Sequence, residues 1–345
     1  MRYGGRPLIR NRNILGTPMV RMSPVFANST SIHKFSLEEG VITYAASGEA
    51  RGHLGWAEDK RSFRMGTGGE NGEYLNIATS IGSTWNETSS TRLTVLKENG
   101  NRLETVDFID GIGKPGEQLF AARFIGSRAY LVTFQVIDPL YVVDLSDQEN
   151  PTIAGELEIE GYSDYLHPVD ENLLLGFGKD AIPDDGSSDF GFARGAWYQG
   201  VKVSLFNVAD PSNPTEINAL VYGKRGSESE LLTDHHAISF LPTSAFFPYR
   251  FAIPIQVNET EPDFEWFDPE SPSAWYSFTN KGLYTFEVTD QGVMETGYIE
   301  GDSTDEVLDF APFFSSFGDR SVLLDNAVFY VHEGEVIAAP YASSP

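Results

Sequence analysis

The chain has 345 residues, 41% of them hydrophobic and 13% aromatic, which is ample for a large core. Fifty acidic residues face 24 basic ones, a net charge of −26, so the Lys/Arg patch that a nucleic-acid backbone requires is missing and nucleic acid is excluded as a partner. Cysteine is absent, which rules out disulfides, thiolate metal sites and Cys nucleophiles, and no apolar run of about 18 residues is present to cross a membrane.

The N-terminal stretch "MRYGGRPLIRNRNILGTPMV" is basic but lacks the apolar segment of a signal peptide, and residues 1–28 read as an extension. Strands are expected from about residue 29 onward, and the 33 Gly and 19 Pro favour turns over long helices. The stretch "LTVLKENGNRLETVDFI", 93 to 109, reads as two strands around a polar turn. The same beat is clearer in "YVVDLSDQENPTIAGELEI", 141 to 159, which aligns with "SLFNVADPSNPTEINALVY", 204 to 222. There Asp147 meets Asp210, and Asn150, Pro151 and Thr152 meet Asn213, Pro214 and Thr215. "YTFEVTDQGVMETGYI", 284 to 299, is a looser copy.

Each copy follows two further strands, as in "LFAARFIGSRAYLVTF", 119 to 134, "YSDYLHPVDENLLLGFG", 162 to 178, and "DHHAISFLPTSAFFPYRFAIPIQV", 234 to 257. "RSVLLDNAVFYVHEGEVIAAPY", 320 to 341, repeats the strand–turn–strand part near the C-terminus. The unit therefore has four strands, A to D. Strands B and C are apolar almost throughout, as in strands covered on both faces, whereas strand D alternates, with Leu157 and Ile159 set between Glu156 and Glu158. The expected fold is all-β with little helix: a β-propeller of five to six four-stranded antiparallel blades over residues 29–345, as one domain.

Two insertions between strands B and C fall at the same place in successive units, 179–199 and 258–280, and should emerge on one face. Both are acidic and aromatic, and their Trp197, Tyr198, Phe264, Trp266, Phe267, Trp275 and Tyr276 are the candidate binding residues. Asp184, Asp185 and Asp189, around Gly186, form the candidate metal loop, with calcium as the ion; apart from that, no cofactor is expected. Asp147 and Asp210 read instead as Asx turns ended by Pro. "TDHHAISF" places Asp234, His235 and His236 at the entry to strand A. Alternation along a strand would turn the two imidazoles to opposite faces, so these residues, with His167 one unit earlier, are expected to form a structural hydrogen-bond network between blades. GxSxG, HExxH and P-loop motifs are absent.

The segments "YLVTF…DPLYVVDLSD…P", "TSIHKFSLEEGVITYAASGEARG" and "EYLNIATS" resemble a family of secreted bacterial and archaeal proteins with a C-terminal β-propeller, distantly related to Trp-Asp repeat propellers. The likeness covers roughly residues 30 to 300; the aromatic insertion at 258–280 and the missing signal sequence depart from it. It implies a fold and an extracytoplasmic or secreted location, and carries over no catalytic residue. The expected function is a non-enzymatic binding or scaffold module for a protein or carbohydrate partner. The alternative is a polysaccharide-acting hydrolase or lyase using carboxylates or His235 and His236.

Overall fold

A computed structural model of the chain describes residues 8–9, 29–55, 57–82, 88–134, 138–184, 196–244, 248–263, 265, 267–301 and 318–341. Among these residues there is no α-helix, only strands, turns and short 3-10 segments. The strands are β1 (Leu8–Ile9), β2 (Ser29–Glu38), β3 (Val41–Arg51), β4 (Met65–Gly68), β5 (Tyr74–Ile81), β6 (Ser90–Asn99) and β7 (Arg102–Ile112). They form one seven-stranded sheet in the order β1-β2-β3-β7-β6-β5-β4, in which β3 meets β7 in parallel at Ser47 and Arg102. Next come β8 (Gln118–Ile125), β9 (Arg128–Phe134), β10 (Asp138–Asp144) and β11 (Thr152–Ile159), then β12 (Tyr162–Pro168), β13 (Leu173–Pro183), β14 (Ala196–Asn207) and β15 (Thr215–Tyr222). A third set is β16 (Ser239–Leu241), β17 (Tyr249–Thr260), β18 (Ser277–Thr289) and β19 (Gly292–Glu300). Each set is a four-stranded antiparallel meander in chain order. A three-stranded sheet, β20 (Arg320–Leu324), β21 (Ala327–His332) and β22 (Glu335–Pro340), follows. The three four-stranded sheets are the repeated units expected from the sequence; the seven-stranded sheet holds a further four-strand meander, β4 to β7, joined to β1–β3, and the last sheet has three described strands.

The chain divides into two compact units, residues 1–133 with 141–154, and residues 134–140 with 155–345. In the first, the inner faces of β5, β6, β8, β9 and β10 meet in one core that includes Leu93, Val95, Leu119, Leu131, Tyr141 and Val143. A second core joins Ile32 and Ala46 of the β2–β3 hairpin to Ile77 and Leu96. In the second unit, aromatic rings carry the packing between sheets. Phe177 on β13 meets Phe251 on β17 edge-on at 5.5 Å, and Phe251 stacks on Phe286 of β18 at 4.6 Å. Each such pair adds about 0.5–1.5 kcal/mol beyond its buried area. All three rings are fully buried, which is why β13, β17 and β18 read as apolar on both faces.

The turns behave as their Asx residues dictate. The Asp147 carboxylate accepts from the amide of Glu149 at 3.0 Å, and that of Asp210 from the amide of Ser212 at 2.9 Å. In both turns the Asp carbonyl accepts from the amide of the Asn three residues on, Asn150 and Asn213. The last strand of three of the four-strand meanders carries a bulge at the same place. The pairing slips by one residue at Val106 on β7, at Ile217 on β15 and at Thr296 on β19. A bulge bends and twists its strand, so the repeat is conserved in curvature as well as in sequence.

Glycine is required where β12 crosses β13. Gly178 pairs with Ser163 beside a register shift, and a Cβ at Gly178 would overlap the Tyr162 carbonyl. Gly178→Ala should therefore lower stability by about 1–3 kcal/mol, read as a shifted urea midpoint with an unchanged slope.

The last sheet is pinned to β18 by a buried polar cluster. Asp319, with a side chain 3% exposed, accepts from the Tyr330 hydroxyl at 2.7 Å, contacts His332 Nδ1 at 2.9 Å and pairs with Lys281 Nζ at 3.1 Å. Burial, then the Asp319 charge, pushes the Tyr330 hydroxyl far above its ordinary pKa, so it donates to the carboxylate at any physiological pH. Replacing Asp319 by Asn leaves Lys281 without its counter-charge. Asp319→Asn should cost about 3–5 kcal/mol in the same denaturation measurement.

Candidate functional site

The two expected insertions are in part extensions of the hairpins themselves. Pairing of β13 with β14 runs out to Pro183 opposite Ala196, and pairing of β17 with β18 runs to Thr260 opposite Ser277. The loops proper are thus 184–195 and 261–276. Asp185 and Asp189 of the candidate calcium loop lie outside the described residues, as do Phe264 and Trp266; Asp184 is described and half-buried.

The described aromatics separate into two groups. Tyr198 packs on Tyr162 at 4.9 Å and on Phe134 at 5.7 Å, a structural cluster beneath the hairpin. Trp197 is also no open contact residue, being only 7% exposed; this corrects the expectation for that position. Its ring is covered by a residue that sequence reasoning missed. The Arg225 guanidinium lies 4.7 Å from the Trp197 ring and 4.4 Å from that of Trp275, bridging the β13–β14 hairpin and the 261–276 loop. Each cation–π contact of this kind is worth about 0.5–2 kcal/mol, the larger figure when desolvated, and Arg225 is buried.

The position of Arg225 follows from backbone stitching. The 223–229 segment runs beside β17: the Lys224 amide donates to the Asn258 carbonyl at 2.8 Å, and Glu228 and Gln256 exchange backbone hydrogen bonds. The Tyr276 amide donates to the Arg225 carbonyl at 3.0 Å, and the Asn258 side-chain amide donates to the Tyr276 carbonyl at 2.9 Å. Gly226, at φ 115°, supplies a conformation that other residues rarely adopt. From the other hairpin, Lys179 Nζ donates to the Ser227 carbonyl at 2.7 Å and pairs with Glu228, while Gln199 donates to the Pro272 carbonyl at 2.9 Å. Phe267 meets Tyr276 edge-on at 5.3 Å. Trp275 remains 43% exposed, and Glu259, Glu261, Asp263, Glu265, Asp268 and Glu270 of the same hairpin are exposed. The result is a platform whose one half-open ring, Trp275, is held in place on a hairpin with many exposed carboxylates.

The same connection between β15 and β16 carries the second cluster. His235 and His236 are not on a strand: residues His235–Ala237 form a 3-10 turn capped by Asp234, and β16 begins only at Ser239. The reason is the cap itself, since the Asp234 carboxylate accepts from the His236 amide at 3.0 Å and closes the turn. The two rings therefore converge, with centroids 4.0 Å apart, instead of pointing to opposite faces. Asp234 also contacts His236 Nδ1 at 2.9 Å and pairs with Arg320 of β20, so it does link one sheet to the next. Burial opposes the Asp234 charge, but the amide and ring of His236 and the Arg320 cation outweigh it and hold the carboxyl below its ordinary pKa. His167 stands apart, against the Tyr165 hydroxyl at 3.0 Å and the Phe240 ring at 4.6 Å; Tyr165 in turn stacks on His235.

Repeated four-stranded antiparallel meanders, packed face to face within each unit, are blades of a propeller. The model of the family described as β-propeller domain matches residues 17–343, and the chain belongs to that family. An uncharacterized protein of Methanocaldococcus jannaschii is 32% identical over 276 residues, covering 77% of this chain and 38% of its own length. An uncharacterized protein of Archaeoglobus fulgidus is 39% identical over 175 residues, 49% of this chain and 24% of its own. The chain thus spans well under half the length of the curated relatives it matches. Among solved structures, Pyrococcus horikoshii acylaminoacyl peptidase is 12% identical with a TM-score of 0.32, covering 79% of this chain and 44% of that one. The β-propeller domain of the Trilobed protease from Pyrococcus furiosus is also 12% identical, with a TM-score of 0.26, covering 81% and 82%.

A double-mutant cycle on Arg225→Met and Trp275→Ala tests the stacked bridge. The coupling energy should be about 1 kcal/mol, measured by urea unfolding of the two single variants and the double variant. Additive effects would show that the two side chains do not support each other.

Proposed function

We propose that this chain is a non-enzymatic, extracytoplasmic binding module that holds a protein or carbohydrate partner on the platform made by its two long hairpins. The observation that carries this reading is the Trp197–Arg225–Trp275 bridge, which fixes two neighbouring insertions against each other and leaves one Trp ring partly open. Aromatic residues lose little rotamer freedom on binding and offer a flat face to a sugar ring or an apolar side chain. The hydrogen bonds to Tyr276, Asn258 and Pro272 hold the loop before a partner arrives, which lowers the ordering cost of association. The extracytoplasmic location is supported by the resemblance of the repeat segments to secreted propeller proteins.

A second reading, a polysaccharide-acting hydrolase or lyase, draws on the convergence of Asp234, His235 and His236. Turnover of acidic or neutral polysaccharides that is abolished by His236→Ala would favour it over the first.

Trp275→Ala tests binding at a small cost in stability, about the 1 kcal/mol of its contact with Arg225, because the ring is 43% exposed. On a glycan array and in pull-downs from a secreted fraction, the variant should lose at least about tenfold in affinity for whatever the unaltered chain retains. Identical capture by the two proteins, both still folded, would sink the proposal.

A further inference from the structure

We propose that Asp234, His235 and His236 bind a divalent cation of the zinc class. The strand geometry expected from sequence argued against such a site, and the capped 3-10 turn removes that objection. One ligand atom from each residue can be chosen so that all three lie within 4.8 Å of one another. A tetrahedral ion with bonds of about 2.0 Å spaces its ligands about 3.3 Å apart. Asp234 Oδ1 and His236 Nδ1 are already at 2.9 Å, and the His236 side chain, 73% exposed, is free to swing without disturbing the core. Two imidazoles and one carboxylate suit zinc, cobalt or nickel, whereas calcium and magnesium prefer sets made wholly of oxygen.

The surroundings support an added positive charge. Arg320 pairs with the other oxygen of Asp234 and, at 3.5 Å, with Glu230 Oε1, which orients the carboxylate from behind as a metal ligand requires. Glu230 is 6% exposed, and its Oε2 is buried with no hydrogen-bond partner among the described residues. Two carboxylates against one guanidinium leave one negative charge beside two imidazoles, and a half-satisfied buried carboxylate calls for a compensating cation nearby. Capping alone accounts for the contact between Asp234 and His236. It does not account for the second imidazole, its ring centroid 4.0 Å away, or for the unbonded Oε2 of Glu230. Three protein ligands and an exposed His236 leave one coordination position open to water or to a partner's carboxylate.

The test uses the chain without a polyhistidine tag, in chelator-treated buffer. Titration with Co²⁺, followed by visible absorption, and with Zn²⁺, followed by calorimetry, should each saturate at one ion per chain. His236→Ala and Asp234→Asn should each weaken binding by about 10- to 100-fold or more, and excess Ca²⁺ or Mg²⁺ should not displace the ion. His236→Ala should keep the melting temperature of the metal-free chain, since the ring is exposed. Absence of saturable binding, or equal affinity in wild type and His236→Ala, overturns the proposal.

Discussion

A sheet whose two central strands are apolar on both faces has no stable existence alone in water, and this chain is built from such sheets. Along β13, Leu173 to Phe177 are buried without alternation, and β17 repeats the pattern from Phe251 to Ile255. Each sheet must be covered on both sides, and the nearest available cover is the next copy of itself. Stacking of copies follows from that demand. The details serve it: the Phe177–Phe251–Phe286 ladder fills the space between two sheets, and Gly155 leaves room for the turn at Pro211 and Ser212 of the next unit. Asn218 on β15 then bridges to Val293 on β19, accepting from its amide and donating to its carbonyl, both at 2.9 Å.

Once the sheets are committed to packing, variation is confined to what joins them. The connection from β15 to β16, residues 223–238, leaves the outer strand of one sheet and returns at the inner strand of the next. Its first half supplies Arg225 to the hairpin platform, and its second half supplies Glu230, Asp234, His235 and His236. Both clusters therefore owe their geometry to the same crossing. The backbone exchange between Glu228 and Gln256 lies between them and fixes the segment against β17.

Much of this was legible in the residues, for identifiable reasons. The strand–turn–strand beat is a local signal, and the Asp147 and Asp210 turns formed as Asx chemistry requires. The repeated bulge at Val106, Ile217 and Thr296 was hidden, because slipping by one residue looks in sequence like ordinary noise in the alternation. The error at His235 and His236 came from extending the strand period through Asp234, although an Asp two residues before a donor amide is itself a cap signal. Composition pointed to aromatic insertions but could not separate Trp197, which is buried, from Trp275, which is half-open. That difference depends on Arg225, whose position is set by distant hydrogen bonds, from the Tyr276 amide to its own carbonyl and from the neighbouring Lys224 amide to the Asn258 carbonyl. No local pattern around "GKRGSES" reports those partners.

The distribution of cations connects the composition to both clusters. The chain has only 24 Lys and Arg, yet Arg64, Lys179, Lys202, Arg225 and Arg250 are all buried. Each ties together elements that are distant in sequence. Arg64 donates to the Leu119 carbonyl, Lys202 to that of Glu160 and Arg250 to that of Asp325. Lys281 and Arg320 do the same with the carboxylates of Asp319 and Asp234. Backbone carbonyls and carboxylates at the ends of packed sheets need donors that water cannot reach, and a long cationic side chain meets that need while its methylenes pack against apolar neighbours. Several of these ties end on carboxylates, Lys179 on Glu228 and Lys202 on Glu216 among them. Near Glu230 one such tie, Arg320, serves two carboxylates at once, and it does so beside two imidazoles brought together by a capped turn.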